Sequence, residues 1–243
     1  MKNPTPSPRP FGRNITKHGV PFLSGLLFAG LALAEAPMNV DDAGTLDKGG
    51  MKIEGAWRKD DKQRGPELVF GYSPMENLEL ELSTARDRDR SATPPTRLDA
   101  TGFGIKWVPI QSESGWSFGF KFDVGQTRVN DRETPQKFTE REIALNALAS
   151  FRHSGDHVLH LNLGSKRVKA LGEHNALNTW GIGYELPLTK QLKLTAEVFG
   201  EEKTRPDKAI GLRYEIFDGF KISGAVGRGS DRNFGQIGFA WEF

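Results

Sequence analysis

From Gly50 onward the chain alternates apolar and polar residues with a period of two. Met51, Ile53, Gly55 and Trp57 interleave with Lys52, Glu54, Ala56 and Arg58, and Leu78, Leu80 and Leu82 with Glu79, Glu81 and Ser83. Trp116, Phe118, Phe120, Phe122 and Val124 interleave with Ser117, Gly119, Lys121 and Asp123. Leu192, Leu194, Ala196 and Val198 do the same with Lys193, Thr195, Glu197 and Phe199. A helix would scatter these apolar residues around its axis, whereas a strand puts each set on one face. The pattern predicts about twelve strands, near 50–58, 66–73, 77–86, 98–108, 115–125, 140–151, 157–165, 175–186, 191–201, 208–216, 220–228 and 233–243. Most approach the roughly 9–11 residues that a tilted strand needs to cross a bilayer.

Short turns, at 74–76, 109–114, 152–156, 187–190 and 217–219, alternate with mostly longer polar loops at 59–65, 87–97, 126–139, 166–174, 202–207 and 229–232. Transmembrane barrels keep short turns on the periplasmic side and longer loops outside. Tyr72, Trp107, Trp116, Phe151, Tyr184, Tyr214, Phe220, Trp241 and Phe243 fall in the apolar register beside the short turns, as an interfacial aromatic girdle would. Trp57 is the best member of an opposite girdle. A soluble β-sandwich is the alternative, but it does not call for rings confined to one end. The expected fold is therefore all-β: a transmembrane, antiparallel, up-and-down barrel of about twelve strands with both termini periplasmic. A mean hydropathy of −0.50 does not oppose this, since only alternate residues face lipid.

The first residues read as a leader. Lys2, Arg9, Arg13 and Lys17 form a basic stretch without acids, an apolar run extends from Val20 to Ala34, and Ala32-Leu33-Ala34 fits signal-peptidase preference. Residues 1–34 are thus expected to be a cleaved signal peptide, 35–49 a periplasmic N-terminal segment, and 50–243 an outer-membrane barrel. Whether 35–49 stays in the periplasm or folds into the lumen as a partial plug is not decided by its residues. The whole chain has 33 basic and 31 acidic residues; without the leader's four basic ones, 29 face 31. Such a balance gives no support to nucleic-acid binding. There is no cysteine, and a barrel closed by backbone hydrogen bonds needs no disulfide. The chain ends Ala240-Trp241-Glu242-Phe243; Phe239, Trp241 and Phe243, with Ile237 before them, match the C-terminal signal read by the barrel assembly machinery.

The mature chain resembles the outer-membrane barrels grouped as transporter-like proteins of the meta-pathway of phenol degradation. The likeness rests on Asp41-Asp42-Ala43-Gly44-Thr45-Leu46 followed by Lys48-Gly49-Gly50, and on Asn77-Leu78-Glu79-Leu80. It continues in Gly181-Ile182-Gly183-Tyr184-Glu185-Leu186, in 194–201, in Gly211-Leu212-Arg213-Tyr214 and in the last strand. The resemblance implies an outer-membrane location and movement of small, often hydrophobic or aromatic compounds. The charged inward register, which lacks an aromatic channel, does not point to phenols.

Chemistry must sit inside the barrel or in its loops. The inward register offers Glu54, Glu79, Glu81, Lys106, Lys121, Asp123, Glu142, Glu185, Lys193, Glu197, Arg213 and Glu215 as pore-lining candidates. They suit either a water-filled path or a salt-bridge network that closes a narrow lumen, twelve strands lying between filled and open barrels. Inward glycines, among them Gly181 and Gly183, relieve crowding or clear space for a solute. No nucleophile–base constellation is visible. His160 alone of the histidines faces inward within a strand, and His157 and His160 point to opposite faces, so neither catalysis, a metal nor a cofactor is expected. The expected function is passive or gated passage of small molecules, with a closed structural or surface-interaction barrel as the alternative and an outer-membrane enzyme behind both. The expected partners are outer-membrane lipid, lipopolysaccharide at the basic loops 86–90 and 165–169, the assembly machinery and an unidentified solute.

Overall fold

The computed structural model describes residues 37–131, 137–229 and 232–243. Among them are twelve strands and no helix: β1 (Met51–Asp60), β2 (Gln63–Met75), β3 (Leu78–Asp89), β4 (Thr96–Ile110), β5 (Gly115–Asn130), β6 (Lys137–Arg152), β7 (Val158–Ala170), β8 (Glu173–Pro187), β9 (Leu192–Glu201), β10 (Asp207–Phe217), β11 (Phe220–Arg228) and β12 (Asn233–Glu242). Each pairs antiparallel with its sequence neighbours, and β1 pairs with β12, so the sheet closes into the expected barrel. Closure is sealed by reciprocal backbone bonds between Met51 and Phe243, at 2.8 and 2.9 Å. With no strand edge left open, every backbone group can be satisfied inside a bilayer. Residues 1–36, which include the leader expected at 1–34, lie outside the described residues.

The polarity of the wall is inverted relative to a soluble protein. Lys121 is fully buried, while its neighbour Phe120 is 49% exposed. Phe70, Leu82, Phe118, Leu145, Ile182 and Leu212 likewise face outward. A sandwich would bury those rings, so the barrel is the only sheet arrangement this pattern fits. The aromatic girdle is in place at the turn end, where Trp116 packs on Phe151 (4.9 Å between centroids), Phe217 on Phe220 and Trp241 on Phe243 (both 5.0 Å).

The strands outrun their expected limits at the loop end. The loop expected at 166–174 is only the pair Leu171-Gly172, with φ of 50° and 85°, the left-handed geometry of a tight hairpin turn. The loop expected at 59–65 shrinks to 61–62, and β5 and β6 absorb most of 126–139. The contrast in loop length that sorted the two ends is therefore mostly a contrast in strand extension. Beyond the apolar belt the outward positions become Arg and Lys, so the alternation fades although backbone pairing continues.

Candidate functional site: a plugged lumen

The sequence left two places open for residues 35–49; the structure puts 37–46 inside the barrel. Gly49, at φ 85°, donates to Ser73 O (2.7 Å), and Gly50 donates to Asp47 O (2.8 Å), which turns the chain back from the start of β1 into the lumen. The segment then climbs, and wall side chains take up its backbone. Leu46 N–H donates to Glu79 (3.2 Å), Thr45 N–H to Gln111 (3.0 Å), Ala43 N–H to Ser150 Oγ (2.7 Å) and Asp41 N–H to Asn162 Oδ1 (2.6 Å). Asn162 returns a bond to Asp41 O (2.8 Å). Glu197 accepts from the N–H groups of Asn39 (2.7 Å) and Val40 (2.9 Å) and from the Asn39 side chain (2.7 Å), and Gln236 donates to Pro37 O. An extended segment with no strand partner is thus satisfied by side chains from β3, β6, β7, β9 and β12, together with Gln111 of the β4–β5 turn.

Ion pairs lock its centre. Asp41 meets Lys106 at 2.7 Å and Lys121 at 3.0 Å, and Asp42 meets Lys106 at 2.9 Å. Lys121 also contacts Glu81 (2.6 Å), which Lys52 joins to Glu79 and Glu54 (2.8, 2.7 and 3.2 Å). Burial works to raise the Asp42 carboxyl, but the Lys106 ammonium, then His160 and Lys52, hold it well below the usual carboxylate range. It therefore stays ionised, and its pairing with Lys106 persists, through mildly acidic pH. A second line runs from Ala43 through Ser150 to His160 Nδ1 (2.9 Å), then to Glu185 (3.8 Å), which Arg213 (2.6 Å) and Lys193 (3.1 Å) hold from the other side. The Ser150–His160 contact, ten residues apart in sequence, was not visible as a constellation in the sequence. Ser150 is fully buried and its Oγ already accepts from the plug, so the line acts as a brace.

Apolar contact adds a little. Met38 and Val40 are buried against Phe199, and Ala43 packs with Val108 and Leu148. Gly181 and Gly183 clear room for the plug: a Cβ on Gly181 would come to 2.8 Å from Val40, and one on Gly183 would overlap Met38 and come to 3.2 Å from Val40. Gly183→Val is therefore expected to unseat the segment without disturbing strand pairing. Since the chain has no cysteine, a single Ala43→Cys probe reports this directly. Its labelling by a water-soluble maleimide should be at least several-fold faster in the Gly183→Val background.

The sequence candidates separate into groups. Glu54, Glu79, Glu81, Lys106 and Lys121 join one cluster with Asp41 and Asp42, while Glu185, Lys193 and Arg213 form another and Glu197 binds the plug directly. Asp123 and Glu142 face inward, and each has a carboxylate oxygen with no hydrogen-bond partner among the described residues. Glu215 sits at the turn end, accepting from Gly219 N–H (3.2 Å). Sequence reasoning missed Asp41, Asp42, Ser150 and Phe199. The first two were visible only as part of a family-like motif, and Lys52 stood in the inward register without being singled out. His157 points away from His160, bonding Tyr184 Oη (2.8 Å). Among the described residues no cluster could hold a metal ion.

A closed sheet of twelve strands with an apolar exterior and a polar, peptide-filled interior defines a transmembrane β-barrel of the outer-membrane type. The chain belongs to the family described as uncharacterised conserved protein UCP029691, whose model matches residues 23–238. No curated protein matches its sequence. Among solved structures it is similar to the translocator domain of the autotransporter NalP from Neisseria meningitidis (TM-score 0.58, 14% identity, 83% of this chain and 91% of that one). It is also similar to the KdgM porin in complex with disordered oligogalacturonate (0.56, 14%, 79% and 99%). A third is the COG4313 outer membrane channel from Pseudomonas putida F1 (0.56, 8%, 83% and 98%). At these identities the likeness establishes the shared fold.

Proposed function

We propose that this protein is an outer-membrane channel for small molecules, gated by its own N-terminal segment. The observation that carries this reading is the polar seat of the plug. Residues 39–46 are held by hydrogen bonds and ion pairs, with Met38, Val40 and Ala43 as the buried apolar anchors. Lumen water can replace such contacts at little net cost, whereas a large apolar interface would stay shut. The test is single-channel conductance of the purified full chain in a planar bilayer, beside Asp41→Asn. Discrete openings that become more frequent in the variant are expected. Persistent silence in both, with heat-modifiable folded protein, would favour the second reading, a closed structural barrel, which the same ion-pair network supports.

The resemblance to transporter-like barrels, and the channel named among the structural neighbours, support a small-molecule cargo. In this reading residues 1–34 direct export and are removed, Phe239, Trp241 and Phe243 present the assembly signal on the outward face, and both termini lie in the periplasm. The loop end then faces outward, which its outer surface supports. Arg64 lies directly opposite Arg88, which lies opposite Arg97; Arg141 lies opposite Lys169. Like charges facing across strands repel, and lipopolysaccharide phosphates above the apolar belt would relieve them. Added lipopolysaccharide should raise the unfolding temperature of the wild type by several degrees. It should have little effect on Arg64→Gln/Arg88→Gln/Arg97→Gln, and an equal shift in both would remove this support for the orientation.

A further inference from the structure

Beyond Lys121 the lumen wall changes character. Asp123 on β5 and Glu140 and Glu142 on β6 face inward and are each at most 4% exposed. Gly125 stands opposite Glu142 and Thr127 opposite Glu140, so the three acids and the Thr127 hydroxyl occupy successive rungs of one strand pair. Asp123 Oδ2, Glu140 Oε2, Glu142 Oε2 and the fully buried Thr127 Oγ1 have no hydrogen-bond partner among the described residues. Nearby bases make their closest ion pairs with other acids: Lys121 with Asp41 and Glu81, Lys166 with Glu201, and Arg58 with Glu67. A small cavity of about 10 Å³, enough for one water-sized group, lies beside Asp123, lined by Glu81, Ser83 and Gly104 and by the apolar Val69, Phe103 and Val124.

We infer that this patch receives positively charged groups in transit, so that the channel prefers small cations and amine-bearing solutes to anions. The inference rests on the channel reading above. A carboxylate withdrawn from water without a donor is costly, and an ammonium group brings three donors to it. Thr127 supplies a neutral acceptor of the same kind. The acids are strung along the wall and no group of three among the described residues could grip a metal, so the site suits an amine or a monovalent ion moving from rung to rung. The same end of the wall carries arginine outside, so the acidic lumen is a local feature and not a reflection of net charge.

Two measurements decide it, both with Asp123→Asn/Glu140→Gln/Glu142→Gln as the comparison. The reversal potential in a potassium chloride gradient, on protein lacking residues 37–46, should show cation preference that falls several-fold toward unity in the triple variant. A conducting pore with the same selectivity in both proteins would overturn the inference and leave the channel reading standing. The second measurement needs no current: putrescine should raise the unfolding temperature of the full chain and protect the triple variant far less, while succinate protects neither. Equal protection of both proteins, or none, would overturn the inference. A silent pore that still binds putrescine through these acids would overturn the channel reading alone.

Discussion

Protein lacking residues 37–46 is expected to conduct steadily, where the full chain opens only in brief events. The barrel does not depend on the segment for closure, because β1 and β12 pair along their length and Met51 and Phe243 lock their ends. Its removal leaves Lys106 and Lys121 without Asp41, and Glu197 without Asn39 and Val40, all facing a lumen that water can fill. These groups exchange peptide partners for water, so the fold should survive. The open probability should rise roughly tenfold or more, the equivalent of about 1.4 kcal/mol or more of closing free energy removed. Asp41→Asn, which keeps the backbone bonds and loses the two ion pairs, should fall between. Planar-bilayer recording measures all three. Equal conductance in the full chain and the deletion would show that the segment does not obstruct passage.

The largest loss of stability is expected from Lys121→Met. Its ammonium is fully buried between Asp41 at 3.0 Å and Glu81 at 2.6 Å, one from the plug and one from the wall. Breaking a buried pair by removing one partner costs about 3–5 kcal/mol, because the remaining charge stays buried without compensation. Here Lys106 still reaches Asp41 and Lys52 still reaches Glu81, so about 3 kcal/mol is expected, at the lower end of that range. Urea unfolding in detergent, followed by tryptophan emission and by heat modifiability, reads this loss. Adding Asp41→Asn should recover part of it, since one of the stranded carboxylates is then neutral. A double variant as unstable as the sum of the two singles would mean the contact contributes no coupling.

How much of this was legible beforehand depends on which solvent each residue meets. The strand count, the closed barrel and the girdle of Trp107, Trp116, Tyr214 and Trp241 could be read directly. Lipid on one side and polar lumen on the other impose a period of two wherever the wall crosses the bilayer. Where β2 to β8 rise past the lipid, the outward face turns polar and the inward face mixes polar residues with Leu98, Val129, Val168 and Ala170, so the apolar-outward period disappears, which is why 59–65, 126–139 and 166–174 read as loops. The same alternation pointed to the inward candidates, but not to their partners. Ala43 meets Ser150, Asp41 meets Lys121 and Asn39 meets Glu197 across 107, 80 and 158 residues of sequence.

Alternation in the sequence therefore determined that this chain makes a membrane barrel with a charged interior. Only the tertiary structure decided that residues 37–46 fill that interior and that Gly181 and Gly183 make room for them. It also decided that Asp123, Glu140 and Glu142 each keep one carboxylate oxygen without a hydrogen bond among the described residues. The physical reason is that an extended segment satisfied by side chains has no period of its own. Its place is set by the donors and acceptors that barrel closure brings around it.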